Sequence, residues 1–159
     1  MNLAHRWLRS SPRWKEAIAV RMPWVLAHLT CVEVDGRLAE GLRRRALGRN
    51  VTILHKDATA MSLPDAAFDR ALCFTMLHHV PSAALQDRLL AEVARVLRPG
   101  GILAGADSRY SLPFRLHLFD TMVVVDPETF SDRLKAAGFE DVHLDLNPRA
   151  FRFRARRAA

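Results

Sequence analysis

The sequence predicts an α/β fold: a mostly parallel sheet with helices on both faces, ending in an antiparallel hairpin. Three observations support this prediction. Short β-like runs alternate with longer segments of helical periodicity along most of the chain. A central strand candidate, Asp69 to Thr75, is almost continuously apolar, as is typical of a strand covered on both faces. Two strictly alternating runs lie near the C-terminus.

The chain has 159 residues, of which 50% are hydrophobic and 26% charged. This size and composition fit one domain, which we divide into a helical N-terminal cap at 1–29 and a core at 30–159. The longest apolar runs are far shorter than the ~20 residues that cross a bilayer, and Met1 to Trp14 lacks the features of a secretory signal. We therefore expect a cytoplasmic protein without a membrane span.

The elements follow from periodicity in chain order. The cap is interrupted by Pro12 and Pro23, and its tryptophans could alternatively form a membrane-binding face. The predicted strands are Thr30 to Asp35, Asn50 to His55, Asp69 to Thr75, Gly101 to Ala106, Phe139 to Leu146, and a last strand around Phe151 to Arg156. The predicted helices are Arg37 to Leu47, Ser82 to Leu97 and Pro127 to Ala137.

The cysteines and the charge bear on function. Cys31 and Cys73 both sit inside apolar runs, which favours buried thiols over a disulfide or a metal site. The net charge is +7, with local concentrations at Arg43 to Arg45 and between Arg149 and Arg157. Such a chain either has a solvated arginine-rich surface or binds an anionic partner such as nucleic acid. The scatter of the arginines favours the first interpretation, without nucleic-acid binding.

Ligands of open parallel sheets bind beyond the carboxyl ends of the strands, so these ends are the candidate site. The predicted strand ends carry Val32-Glu33-Val34-Asp35, Lys56-Asp57-Ala58 and Phe74 to Pro81. Along the chain, an ordered series of five segments is formed by Val32 to Asp35, His55 to Ala60, Phe68-Asp69, Met76 to Val80 and Leu97 to Gly101. This series resembles a class I, Rossmann-like S-adenosylmethionine-dependent methyltransferase of the type 11 group. The resemblance covers Leu29 to about Leu146.

The resemblance implies S-adenosylmethionine as the cofactor and a small molecule as the methyl acceptor. At the matching positions, Glu33 would accept hydrogen bonds from the ribose hydroxyls, with Val34 beside it. Asp57 would accept from the adenine amino group, and the Ala58 N–H would donate to the adenine ring.

The later segments of the resemblance imply the remaining cofactor contacts and the substrate contacts. Phe74 and Thr75 match the strand end along the methionine arm, and His79 and Asp107 are the predicted substrate-binding residues. No catalytic side chain is assigned, because transfer from an activated sulfonium depends chiefly on alignment. No metal site is expected.

Each assignment has a structural alternative. Glu33 and Asp35 could cap the helix that starts near Arg37, and Asp57 could form a turn. The pair His78 and His79 is favoured as packing rather than as a general base.

The sequence departs from the family in one respect. No Gly-x-Gly-x-Gly loop lies upstream of Glu33, and a strand, its loop and most of a helix, about 25 residues, have no counterpart. The central first strand is thus missing or replaced: Val20 to Leu29 could substitute for it, the flanking strands could pair directly, or the sequence could omit a stretch. The alternative to a methyltransferase is a non-catalytic remnant of that fold, or a truncated chain, acting as a partner or structural protein.

Overall fold

The computed structural model describes residues 29–47, 49–109 and 122–159. The chain divides into two compact units, Met1–Met61 and Ser62–Ala159, which are described separately below. The predicted N-terminal cap lies outside the described residues, apart from Leu29. No helix in the described part of the chain is long and apolar enough to cross a membrane.

The first unit contains the predicted β-α-β arrangement. Strand β1 (Leu29–Glu33) is followed by helix α1 (Gly36–Ala46) and strand β2 (Val51–His55). The two strands are parallel, and Glu33 pairs with His55 at their carboxyl ends. One further hydrogen bond, from the Lys56 N–H to the Glu33 carbonyl at 3.1 Å, continues the pairing past β2.

The second unit is a four-stranded sheet with two helices. Its elements are β3 (Phe68–Phe74), a 3₁₀ turn (Leu77–His79), α2 (Ala83–Val96), β4 (Leu97–Ser108), α3 (Pro127–Ala136), β5 (Phe139–Leu146) and β6 (Ala150–Arg157). The strand order is β3-β4-β6-β5. The β3–β4 pair is parallel, and β6 runs antiparallel to both of its neighbours, which confirms the predicted C-terminal hairpin.

Strand β4 is longer than the sequence indicated. The segment Arg98-Pro99-Gly100-Gly101 ends helix α2, as expected, but its backbone is already extended and belongs to the strand. A register shift between Phe68 and Arg70 accommodates this early start. Helix α2 begins where Ser82 accepts a hydrogen bond from the Leu85 N–H.

One face of the second unit's sheet forms its core. Phe130 of α3 packs edge-to-face on Phe151 and Phe153 of β6, at ring-centroid distances of 5.5 and 5.1 Å. A Cβ atom at Gly105 of β4 would lie 2.0 Å from the Cys73 carbonyl oxygen and 2.5 Å from the Phe153 ring. Only glycine therefore fits between the neighbouring strand and the phenylalanine cluster.

The strand pairs bear on the predicted gap in the sheet. Among the described residues β1 pairs with β2, and β3 pairs with β4, in separate sheets. Direct pairing of the strands that flank the gap, one of the two repairs, stays a prediction. The other repair, a strand at Val20 to Leu29, lies outside the described residues except for Leu29.

Candidate functional site

Glu33 closes β1, and one of its carboxylate oxygens is already engaged. Oε1 accepts a hydrogen bond from the Asp35 N–H at 2.9 Å, which fixes the side chain over the turn that follows the strand. In the described part of the chain no protein donor is recorded for Oε2. A carboxylate held in this way is oriented by the protein and retains acceptor capacity for a ligand.

Helix capping, the structural alternative for Glu33, belongs to Asp35 instead. The Asp35 side chain accepts hydrogen bonds from the N–H groups of Arg37 and Leu38 at 2.9 and 3.0 Å. These are two of the donors that the first turn of α1 leaves unpaired. Glu33 accepts a hydrogen bond from the Asp35 N–H, so it positions the capping residue and does not itself cap α1.

Asp57 forms the turn that the sequence offered as its structural alternative, and its contact with adenine stays a prediction. Its Oδ1 accepts from the Thr59 N–H at 2.8 Å and its carbonyl accepts from the Ala60 N–H, so it does form a turn. The residue is nevertheless exposed, and Ala58 beside it is half-buried. The turn uses one of the two carboxylate oxygens of this exposed residue.

Strand register places Glu33 and Asp57 along the same rim of the first unit. Glu33 pairs with His55, and Asp57 follows two residues later at the carboxyl end of the neighbouring parallel strand. Val34, the residue after Glu33, is 67% exposed, which is high for an apolar side chain. His55 Nε2 lies 3.1 Å from the Val34 carbonyl oxygen and so ties the two strand ends together.

In the second unit, the end of β3 has an unusual backbone. Phe74 is 48% exposed, and Thr75 has φ +49°, in the left-handed region that β-branched residues rarely adopt. The Thr75 N–H donates to the Ala106 carbonyl at 2.8 Å. The backbone therefore departs from strand geometry at the predicted methionine-arm position.

Asp107, predicted to bind substrate, is buried at the end of β4 and 1% exposed. Its oxygens accept from the N–H groups of Leu77 and Ser108, at 2.9 and 2.7 Å, and from His78 Nδ1. The carboxylate is thus enclosed by the 3₁₀ turn. Its predicted contact with substrate stays a prediction, and in this structure its partners are all protein groups.

The two histidines of the 3₁₀ turn lie against each other, with ring centroids 4.1 Å apart. His78 is buried and bonded to Asp107, in agreement with a packing role. His79 is half-buried, and its N–H donates to the Met76 carbonyl.

The buried hydrogen bonds of Gln86 in α2 were not predicted from the sequence. Gln86 is 1% exposed, and its Nε2 donates to the carbonyl oxygens of Leu77 and Val123 at 3.0 and 2.7 Å. Its Oε1 accepts from Arg133 of α3 at 3.0 Å. The sequence does contain a signal for this residue. Gln86 lies on the predicted helix beside the apolar stripe, and a glutamine at such a position can be buried against the core.

The cysteines are both thiols. Cys73 is buried, and desolvation, with a smaller contribution from the negative charge of Asp107, raises the pKa of its thiol far above the usual range. Cys31 is half-buried rather than buried as predicted. In the described part of the chain no group of histidine, cysteine and carboxylate side chains is arranged to hold a metal ion.

Comparison with known proteins identifies the family. The sequence pattern of the methyltransferase domain, type 11, matches residues 16–105, more than half of the chain. The chain belongs to this methyltransferase family. The order of the five segments and the α/β architecture agree with that membership.

Curated relatives of this methyltransferase chain match over part of their length. An uncharacterised methyltransferase of Mycobacterium tuberculosis is 26% identical over 87 residues, 55% of this chain and 43% of the relative. The 27-O-demethylrifamycin SV methyltransferase of Amycolatopsis mediterranei is 40% identical over 57 residues, 36% of this chain and 20% of the relative. The matches thus span less than half of the length of either relative.

A solved structure supports the fold assignment. An S-adenosylmethionine-dependent methyltransferase of Thermotoga maritima superposes with a TM-score of 0.62 and 25% identity. The match covers 79% of this chain and 72% of that protein. The Rossmann-like methyltransferase fold predicted from the sequence is confirmed.

Proposed function

We propose that this chain binds S-adenosylmethionine and transfers its methyl group to a small-molecule acceptor. The observation that carries the proposal is the pair Glu33 and Asp57 on one rim of the β1–β2 sheet. Each has one oxygen fixed by a neighbouring backbone N–H, at 2.9 and 2.8 Å. Membership of the methyltransferase family supports the same assignment.

The rim of the first unit fits the nucleoside part of the cofactor. Glu33 would accept hydrogen bonds from the ribose hydroxyls, and Asp57 from the adenine amino group. The exposed side chain of Val34 offers an apolar surface for the flat adenine ring. Binding of the ring there would remove this side chain from water. The Ala58 N–H would complete the set as a donor to the ring.

The family resemblance supports the remaining assignments, to the methionine arm and to the acceptor. Phe74 and Thr75 lie where β3 ends, and the left-handed backbone of Thr75 redirects the chain there. We assign His79, the less buried of the two histidines, to the acceptor side.

The chemistry asks little of the side chains. When bound, S-adenosylmethionine supplies a methyl group that is already activated by its sulfonium. The chain then has to hold the reacting groups in line and keep water out, so we assign no side chain as a catalytic base. The name of the Amycolatopsis relative supports a small-molecule acceptor, since it describes a methyltransferase acting on a rifamycin.

The competing hypothesis is a methyltransferase-fold remnant without cofactor affinity, because the sequence has no glycine-rich loop upstream of Glu33. Titration calorimetry of the full chain with S-adenosylmethionine and with S-adenosylhomocysteine separates the two. Saturable one-to-one binding of both ligands is expected. Absence of binding up to millimolar ligand would overturn the proposal and favour the remnant.

A further inference from the structure

The turn that follows β3 needs external support. Thr75 holds φ +49°. A β-branched residue in this region is strained and persists only where its surroundings impose it. The Thr75 N–H is anchored on the Ala106 carbonyl at 2.8 Å. Leu77 and His78, which follow after Met76, must then be fixed as well if the direction of the turn is to be unique.

Asp107 supplies that support from the end of β4. Its Oδ2 accepts from the N–H groups of Leu77 and His78, at 2.9 and 3.4 Å. Its Oδ1 accepts from the Ser108 N–H at 2.7 Å and from His78 Nδ1. The Asp107 carboxylate thus gathers four donors, three of them from the turn.

The opposite side of the turn is held independently. Gln86 donates to the Leu77 carbonyl at 3.0 Å, and the His78 carbonyl accepts from the Val123 N–H at 3.0 Å. These bonds use carbonyl groups, whereas Asp107 uses N–H groups. A change at Asp107 would therefore loosen one side of the turn and leave the other attached.

We propose that Asp107 is a positioning residue, which acts through the N–H groups of Leu77 and His78 to hold the Phe74–Thr75 end of β3 ready for the methionine arm of the cofactor. This inference rests on the proposed function and refines it. Direct contact between Asp107 and the acceptor is disfavoured, because the Asp107 side chain is wholly enclosed and its oxygens serve the turn.

The test compares two ligands that differ by the methionine arm, S-adenosylhomocysteine and adenosine, in calorimetric titrations of Asp107→Asn. Asparagine has one carbonyl oxygen, so its NH₂ group must face either the backbone N–H groups or His78. We expect a loss of roughly tenfold to a hundredfold in affinity for S-adenosylhomocysteine, the range for hydrogen bonds to a charged group. The affinity for adenosine should stay within about twofold.

Asp145→Asn is the matched control, because it makes the same chemical change at an exposed carboxylate that pairs with Arg152 on the β5–β6 hairpin. It should bind both ligands as the wild type does. Hydrogen exchange supplies a second readout. The Leu77 and His78 amides should exchange faster in Asp107→Asn, whereas amides in the middle of β6 should not.

The outcomes distinguish the two proposals. If the wild type binds neither ligand, the proposed function fails and the inference fails with it. If the wild type binds both, and Asp107→Asn weakens both equally or neither, the positioning role alone is overturned. Should Asp107→Asn not fold, His78→Ala removes one of the four donors, and a selective but smaller loss of S-adenosylhomocysteine affinity is expected. Unchanged affinity of that variant for both ligands would likewise overturn the positioning role.

Discussion

Single carboxylates in this chain differ in how much of their acceptor capacity the protein uses. Glu33 and Asp57 each place one oxygen on a backbone N–H two residues ahead and remain partly or fully exposed. Asp107 is saturated by the protein and buried. The sequence could nominate all three because each lies at or just beyond the carboxyl end of a strand, but it could not rank them. Side-chain saturation depends on residues up to 30 positions away, such as Leu77.

Cys73 should make the free energy of unfolding depend on pH in the alkaline range. Burial raises the pKa of its thiol, so the folded chain keeps a proton that the unfolded chain loses above about pH 8.5. The free energy of unfolding should therefore fall as pH rises above that value, by at most about 1.4 kcal/mol per pH unit from this group. Below pH 8 this contribution should be constant.

Urea unfolding of the wild type and of Cys73→Ala at several pH values between 7 and 10 measures this dependence. The variant lacks the thiol, so its stability should decline less steeply above pH 8.5. Parallel curves for the two proteins would contradict the burial of a neutral thiol at this position.

Strands and helices were largely predictable because periodicity is a local signal. The alternation of Phe151 and Phe153 with arginines predicts a strand with one buried face, and Phe139–Leu146 begins and ends where the pattern does. The start of β4 was not predictable. Proline and glycine after α2 predict the end of a helix, but whether the chain then pairs at once depends on the distant partner Phe68.

Asp35 allows the capping of α1 to be separated from ligand binding. Asp35→Ala removes the acceptor for the Arg37 and Leu38 N–H groups and should lower the free energy of unfolding by about 0.5–2 kcal/mol. The backbone N–H of residue 35, from which Glu33 accepts a hydrogen bond, is retained when alanine replaces Asp35. We therefore expect S-adenosylhomocysteine affinity within about twofold of the wild type.

Chemical denaturation and calorimetry of the same Asp35→Ala preparation give both quantities. A stability loss with intact ligand affinity supports the division of roles between Asp35 and Glu33. A large loss of affinity at unchanged stability would show that Asp35, rather than Glu33, contacts the ligand.

Considered across the molecule, the arginine excess is partly neutralised within the fold. Arg156 bonds to Asp141 and Glu140, Arg152 bonds to Asp145, and the Asp141 hydrogen bond raises the pKa of Arg156 above its usual value. In α1, Arg43 and Arg44 lie near Glu40. The sequence showed the clusters of positive charge, but not which acids face them across the hairpin.

Binding to nucleic acid should therefore be weak. In filter binding with duplex DNA at 50 and 200 mM salt, we expect little retention at the higher concentration and a shallow salt dependence. A strongly salt-dependent, high-affinity interaction would instead favour the anionic-partner interpretation of the +7 charge.

Glu33 is the proposed ligand for the ribose, and the proposed cofactor site depends on it more than on any other side chain. Calorimetric titration of S-adenosylhomocysteine into Glu33→Ala tests this directly, with Glu40→Ala, an exposed glutamate of α1, as the matched control. We expect Glu33→Ala to lose about 1.5–3 kcal/mol of binding free energy, the range for a charged hydrogen bond, and Glu40→Ala to lose none. Wild-type affinity in a folded Glu33→Ala protein would contradict the account.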